Sequence, residues 1–188
     1  NKDEKEYLEL NSVPLVAKVT MKKNTLITTE LLSKGDNTVQ NDVRKQEYNM
    51  FVLPMDLQTG DYIDVRIMLP SGQDYIVVSK KQVEIPQVNG VDVDDTIWIK
   101  LTEAEIITMN SAIVEAYKIG GSKLYVTTYT EAGIQSAATP TYVPTGEVMQ
   151  LINDNPNIVQ MAKNELIARY QENAGTVRNN VINPAINS

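Results

Sequence analysis

The sequence predicts an α+β protein, and three patterns support this fold class. In residues 60–79 (GDYIDVRIMLPSGQDYIVVS), an alternating strand pattern precedes a Pro-Ser-Gly-Gln turn and a second apolar run follows it, which is typical of a β-hairpin. Thr102 and Glu105 form a capping box ahead of apolar residues at helical spacing. Asn155–Pro156 offers a second helix start, an N-cap followed by Pro at the first helical position.

Composition excludes several kinds of chemistry. With 188 residues, of which 42% are hydrophobic, the chain can bury a core of its own. It contains no Cys, so disulfides, thiol nucleophiles and Cys-based zinc sites are excluded. It contains no His either, which excludes Ser-His-Asp and Cys-His mechanisms. Carboxylate- or lysine-based catalysis stays open, but no such constellation is visible, so we predict a non-enzyme without cofactor.

The charge balance bears on partners. The 17 basic and 24 acidic residues give a net charge of −7, which argues against nucleic acid and against a polybasic anchor on anionic lipid. No apolar run approaches the roughly 20 residues that span a bilayer. Because the first residue is Asn1 and not Met, we expect a processed or truncated product, and a signal peptide or anchor upstream is compatible with that expectation.

Short elements are predicted ahead of the hairpin. Residues 1–10 are charged and unpatterned, which favours a solvated lead-in. Residues 13–19 are predicted as a strand and residues 34–46 as a polar surface loop. Residues 50–53 are a short apolar strand candidate, ended by a proline.

The second hairpin arm is predicted to continue to Ile85 and to stop at the following proline. Residues 87–95 (QVNGVDVDD) are typical of a polar junction. A strand over 96–100, the capped helix through Tyr117, and a strand over 124–130 form a strand–helix–strand unit, long enough for a crossover connection.

The C-terminal third is predicted to be helical after an extended connection. Residues 131–144 are small and proline-bearing, which favours that connection. Residues 147–152 are predicted as a short helix, and the helix that starts at Asn155–Pro156 is predicted to end at Gly175. An Asn-rich tail follows.

Two blocks together carry a resemblance to a known family. VPLVAKVTMKKNTLITTELL and VLPMDLQTGDYIDVRIMLPSGQDYIVVSKKQVEIP resemble the SAF domain of Flp/Tad pilus assembly proteins of the CpaB/RcpC type. Asn24 stands where that family usually has Gly, a mild change because Asn also adopts left-handed conformations. The positions that match the family pattern are Ala17, Thr25, Ile27, Thr28, Glu30, Leu31, Gly60, Asp61, Asp64 and Val65.

The following block, IWIKLTEAEIITMNSAIVEAYKIGGSKLYVTTYTE, is similar to the segment after SAF in Gram-positive CpaB-like proteins. The resemblance implies an SAF β-clip of short strands over 11–90, then the strand–helix–strand unit and linker over 91–144, and C-terminal helices over 145–188. It also implies an N-terminal membrane anchor missing here and a cell-envelope position outside the cytoplasmic membrane.

The function implied by this resemblance is non-catalytic. The chain is expected to assist pilus assembly or secretion by protein–protein contact with other pilus-assembly proteins, including β-edge pairing. The SAF signature is shared by other families, so two alternatives stay open: a carbohydrate-binding envelope module that touches peptidoglycan, and a flagellar P-ring chaperone-like protein. A sugar-processing enzyme ranks last, because no cluster of carboxylates and basic residues is visible.

Seven residues are candidate ligand or partner contacts. Asp61 and Asp64 point to opposite sides of a strand and are expected to have structural or capping roles, with Asp64 on a solvated outer face beside Arg66. The lysine doublet at 80–81 suits solvated strand ends or contact with an anionic glycan. Arg44 is carried by the family resemblance. The full set is Asn24, Thr25, Arg44, Asp61, Asp64, Lys80 and Lys81.

Two further groups have ordinary structural explanations. Three aspartates in NGVDVDD do not match an EF-hand loop, so we predict a polar linker and no metal site. Large aromatic residues are expected on core faces rather than on ligand platforms. These residues are Asp92, Asp94 and Asp95, and Trp98, Tyr117, Tyr125 and Tyr170.

Overall fold

A pair of short antiparallel strands, β1 (Leu15–Ala17) and β2 (Leu32–Lys34), forms a small sheet near the N-terminus. The computed structural model describes residues 15–17, 21–23, 26, 28, 31–34 and 42–182. The chain divides into two compact units, 1–41 and 42–188. The small sheet belongs to the first unit, and everything below concerns the second.

The second unit is built on a five-stranded antiparallel sheet with three helices, which confirms the α+β prediction. The strand order is β3-β8-β5-β4-β9, and β6 and β7 pair only with each other. Strands from both sides of residue 90 therefore share one sheet. The elements are β3 (Val43–Tyr48), β4 (Tyr62–Met68), β5 (Asp74–Glu84), β6 (Gln87–Val88), β7 (Val91–Asp92), β8 (Ile97–Thr102), α1 (Glu103–Lys118), β9 (Lys123–Thr128), α2 (Gly146–Asp154) and α3 (Ile158–Ile182).

The hairpin of β4 and β5 occurs where the alternation predicts it. Ile63, Val65 and Ile67 are fully buried on one face of β4. Two register shifts interrupt the pairing of the strands, and at one of them Lys80 adopts a positive φ of 50°. Because β-bulges bend a strand and increase its twist, β5 can pair with β4 along most of its length and with β8 near its end.

The strand–helix–strand unit is confirmed in its order of elements. Thr102 Oγ1 accepts a hydrogen bond from the Glu105 backbone N–H at 3.2 Å, and the Glu105 carboxylate accepts one from the Thr102 N–H at 2.9 Å. These two bonds satisfy free donors at the start of α1. The helix does not join neighbouring strands, because β5 and β4 lie between β8 and β9.

The core lies between the sheet and α1, and α3 packs on α1 as a further layer. Helix α1 contacts β5, β8 and β9, while α3 contacts α1 and α2. Among the α3 side chains that the structure describes, residues 158–170, the buried ones are Ile158, Ala162 and Leu166, one apolar stripe at helical spacing. The predicted stop at Gly175 is wrong, since α3 continues to Ile182. None of the helices in the described part of the chain is long and apolar enough to cross a membrane.

The extended connection after β9 runs along the first half of β5, on the side that does not pair with β4. The Tyr129 N–H donates to the Tyr62 carbonyl at 2.8 Å, beside the start of β4. Further along, the Thr141 and Tyr142 N–H groups both donate to the Ile76 carbonyl at 2.9 Å. The connection thus satisfies backbone groups that would otherwise be exposed at a sheet edge.

Two regions that lack an apolar signal are more ordered than predicted. β3 lies within and beyond the predicted loop over 34–46, because its polar residues gain their order from pairing with β8. The predicted junction over 87–95 contains the β6–β7 hairpin. Asn89 and Gly90 occupy its turn with φ of 54° and 79°, the two positive φ values that favour Asn-Gly in a two-residue hairpin loop.

Removal of the capping hydroxyl tests the start of α1. We expect Thr102→Ala to lower the free energy of unfolding by about 1 kcal/mol, because an α1 N–H loses its acceptor. Thr102→Ser keeps the hydroxyl and should stay close to the parent protein. Urea unfolding followed by circular dichroism measures both variants. An equal loss in the two variants would mean that the methyl group, not the cap, matters.

Candidate binding surfaces

Two candidate basic residues converge on the first turn of α1. Arg44 Nε lies 3.4 Å from Glu103 Oε1, and Lys81 Nζ lies 2.5 Å from Glu105 Oε1. The helix dipole stabilises the negative charges of Glu103 and Glu105 at the N-terminus of α1. Arg44 and Lys81 are the counter-ions of these two carboxylates. Asn24 and Thr25 lie outside the described residues.

Asp61 has the capping role predicted for it. Its Oδ2 accepts a hydrogen bond from the Gln58 backbone N–H at 2.9 Å, which closes the turn that enters β4. Gly60 lies inside this turn with φ of 102°, a conformation that disfavours a side chain.

Asp64 and Lys80 are brought together, but not on a solvated face. Asp64 is only 7% exposed, so the expectation of a solvated side chain is wrong. Its Oδ1 accepts hydrogen bonds from the Lys80 backbone N–H and from the Tyr129 hydroxyl, both at 2.9 Å. The Tyr129 hydroxyl also bonds Ser79 Oγ at 2.9 Å. Asp64 therefore holds the β5 bend together, and its role is structural.

Arg66 is likewise not a free surface residue. Its guanidinium contacts Asp74 through Nε and Nη2 at 3.2 Å, and Tyr125 donates to Asp74 Oδ2 at 2.5 Å. Burial lowers the pKa of Arg66, but the hydrogen bonds that the guanidinium donates to Asp74 and Tyr125 outweigh it and raise the pKa overall. Burial and the bond to Asp74 raise the pKa of the Tyr125 hydroxyl. The cluster is a clamp that joins β4, β5 and β9.

Trp98 is on the outer face of the sheet and not in the core, which corrects the prediction. The inward positions of β8 are Ile97, Ile99 and Leu101, so period two directs Trp98 outward. Its indole N–H donates to Glu47 Oε2 at 2.7 Å, and Lys45 Nζ lies 3.8 Å from the ring centroid.

Charges surround this tryptophan. The Lys45 ammonium also donates to the Glu84 carboxylate, and Lys100 Nζ lies 3.8 Å from Glu84 Oε1. The hydrogen bond from Lys45 lowers the pKa of Glu84.

Of the other three aromatic residues, Tyr117 and Tyr170 are partly buried and pack against the core as predicted. Tyr125 lies on the face of β9 opposite the buried Leu124 and Val126, beside Arg66 and Asp74, so the prediction of a core face is wrong for it.

β3 is an edge strand of the five-stranded sheet, which the sequence did not predict. The Glu103 N–H donates to the Asp42 carbonyl at 3.1 Å, which places this pair in the hydrogen-bonded phase of the antiparallel ladder. Because the phases alternate, Val43, Lys45 and Glu47 direct their backbone groups away from β8. No strand in the described part of the chain pairs with that side of β3.

One outward carbonyl of this edge has a partner. An Arg44 guanidinium N–H donates to the Val43 carbonyl at 3.0 Å. The outward N–H and C=O groups of Lys45 and Glu47 pair with no strand among the described residues, so a further strand could bind them. The only sequence signal for this edge was a run of charged and polar residues between Val43 and Tyr48, which is equally typical of a solvated loop.

The NGVDVDD aspartates do not converge. Asp92 accepts from Gln87 Nε2 at 2.8 Å and Asp95 accepts from Thr96 Oγ1 at 2.7 Å. No cluster of acidic residues within the described ranges could hold a metal ion.

Comparisons of the chain with protein-family models, with curated proteins and with solved structures return no match.

The Asp64 hydrogen bonds can be tested by substitution. We expect Asp64→Ala to lower the free energy of unfolding by about 2 kcal/mol or more, because it leaves the Lys80 N–H and the Tyr129 hydroxyl without their acceptor. Asp64→Asn keeps an amide oxygen at that position and should cost less. Urea unfolding distinguishes the two. Equal losses would show that charge, not acceptance, is what matters.

The lowered pKa of Glu84 gives a pH prediction. The ionised Glu84 carboxylate is favoured in the folded state by its hydrogen bond with Lys45. This pair therefore stabilises the fold fully above the ordinary pKa of 4.5, and the stabilisation is lost as pH falls through the lowered pKa of the folded state. In Lys45→Met we expect the Glu84 pKa, measured by NMR titration, to rise towards 4.5. Lys100→Met is the matched control and should raise it less, because Lys100 lies 3.8 Å away.

Proposed function

We propose that this chain is a non-catalytic, extracytoplasmic component of a Flp/Tad-type pilus assembly or secretion machine that acts by protein–protein contact. The resemblance of two sequence blocks to CpaB/RcpC-type proteins supports the assignment to a Flp/Tad-type machine. The open edge of β3 carries the mechanism, because it offers backbone donors and acceptors to a partner strand. The SAF β-clip over 11–90, attachment through an N-terminal membrane anchor and the envelope location belong to the same proposal.

The β3 edge suits a selective partner. Arg44, Lys45 and Glu47 place both signs of charge along it, and charged edge strands discourage indiscriminate strand pairing. A partner strand gains main-chain hydrogen bonds from Lys45 and Glu47, and its own side chains must match these charges. Affinity then comes from the backbone and selectivity from the side chains.

A carbohydrate-binding envelope module is the second candidate, and the position of Trp98 favours it. An indole on an outer sheet face, with carboxylates such as Glu47 beside it, resembles a stacking platform for a sugar ring. Against it, the Lys45 ammonium already lies over the ring. Strand addition at β3 therefore ranks first.

Proline scanning of β3 tests the mechanism. Lys45→Pro removes an outward N–H without removing a ladder bond, and edge strands tolerate proline there. We expect it to stay folded and to lose at least tenfold in affinity for a Flp-type pilin or another extracytoplasmic assembly subunit, measured by biolayer interferometry. Lys45→Ala, which removes only the side chain, should keep most of the affinity.

Two controls make the test decisive. Gln46→Pro removes an N–H that points to β8, so it should destabilise the fold. Glu47→Pro repeats the test at a second outward position should Lys45→Pro fail to fold. Binding that survives both outward prolines contradicts strand addition. Retention of the parent protein on purified peptidoglycan, lost in Trp98→Ala, would favour the carbohydrate-binding alternative instead.

A further inference from the structure

A concave surface with an apolar wall and a polar border lies at the end of the sheet where β5 stops and β8 begins. It encloses a pocket of about 380 Å³, within the usual range of ligand pockets. Leu53, Leu57 and Ile85 form its wall, and Asp92 and Asp94 lie at its border. We call this region the apolar pocket.

Apolar side chains around the apolar pocket are unusually exposed. Met55, which also lines the pocket, is fully exposed, with a relative accessibility of 106%. On the adjoining β6–β7 hairpin, Val88 and Val91 form a cross-strand pair and are 62% and 69% exposed. Large apolar side chains that are exposed beside a pocket are typical of binding sites.

The charged side chains of the segments that form the apolar pocket have one sign. The two segments that form it, 49–61 and 85–97, contain five aspartates and no Lys or Arg. None of the ion pairs within the described residues includes an aspartate of these segments. Four of the five, Asp56, Asp92, Asp94 and Asp95, are exposed. An unneutralised acidic border around an apolar centre favours a cationic partner.

We propose that the apolar pocket binds a segment of a partner protein in which an apolar anchor residue is flanked by Lys or Arg. The anchor fills the space between Leu53, Leu57 and Ile85, and its neighbours pack on Met55 and the valine pair. The flanking cations lie against the aspartates. This inference rests on the proposed role in protein–protein contact, and it names the chemistry of a contact separate from the β3 edge.

Other occupants fit this surface less well. A second copy in a two-fold symmetric contact would oppose the same aspartates on both subunits, and like charges across an interface are unfavourable. Nucleic acids and anionic lipids are repelled by the same charges. A neutral apolar segment would leave the acidic border without a counter-charge. The cationic segment satisfies both features.

Matched peptides test the proposal directly. The probe is a fluorescein-labelled peptide of three leucines with two lysines on each side, and the control peptide has glutamates in place of the lysines. We expect fluorescence anisotropy to show binding of the lysine peptide with a Kd on the order of tens of micromolar. Binding should weaken as salt is raised, and the glutamate peptide should not bind.

Surface variants locate the contact. Met55→Ser with Val88→Ser should lower the affinity about tenfold or more, since apolar anchors carry most of the binding energy of such contacts. Asp92→Asn with Asp94→Asn should lower it and flatten the salt dependence. Ile134→Ser is the matched control, because Ile134 is 83% exposed but lies outside both segments, so its affinity should be unchanged.

Several outcomes would overturn the proposal. They are equal binding of the two peptides, no binding of the lysine peptide, or an equal loss in Ile134→Ser. Analytical ultracentrifugation that shows a dimer lost in Met55→Ser would assign the surface to a second copy. Lys45→Pro should leave peptide binding intact, so failure of the β3 proposal and failure of this one are distinguishable.

Discussion

The bend of β5 at Ser79–Lys80 is the constraint on which the rest of the second unit depends. β5 pairs with β4 on both sides of this bend, and near its end it also pairs with β8, so one strand joins both halves of the sheet. The positive φ of Lys80 is an unfavourable conformation for a residue with a side chain. The buried Asp64 carboxylate offsets that cost, because it binds the Lys80 N–H and is itself held by Tyr129.

The two halves of the sheet differ in how their edges are covered. Beyond β9, Val52 closes the edge with a parallel bridge to Tyr125, and the connection after β9 pairs with Ile76. On the other side, β3 directs the backbone of Lys45 and Glu47 outward, and no described strand pairs with it. Both proposed contacts, the β3 edge and the apolar pocket, therefore lie in the half that contains β3 and β8.

Periodicity predicted the elements that bury a continuous face. The β4–β5 hairpin and the capped helix α1 occur as expected, because alternation and capping are local properties of the chain. β3 could not be predicted, since a polar edge strand has no apolar face and is ordered only by its neighbour. The same limit applied to the candidate site, where Asp64 and Trp98 were assigned to the wrong environment.

The sequence by itself determined the fold class, the main helix and hairpin, and the absence of Cys- and His-based chemistry. Tertiary structure alone decided whether a side chain on the outer face of a strand is buried or exposed. Asp64 is buried because the bulge in β5 and the Tyr129 hydroxyl cover it. Trp98 is on the outer sheet face because α1 packs on the opposite one. Strand parity sets which way a side chain points, but whether that side is core or solvent depends on elements distant in sequence.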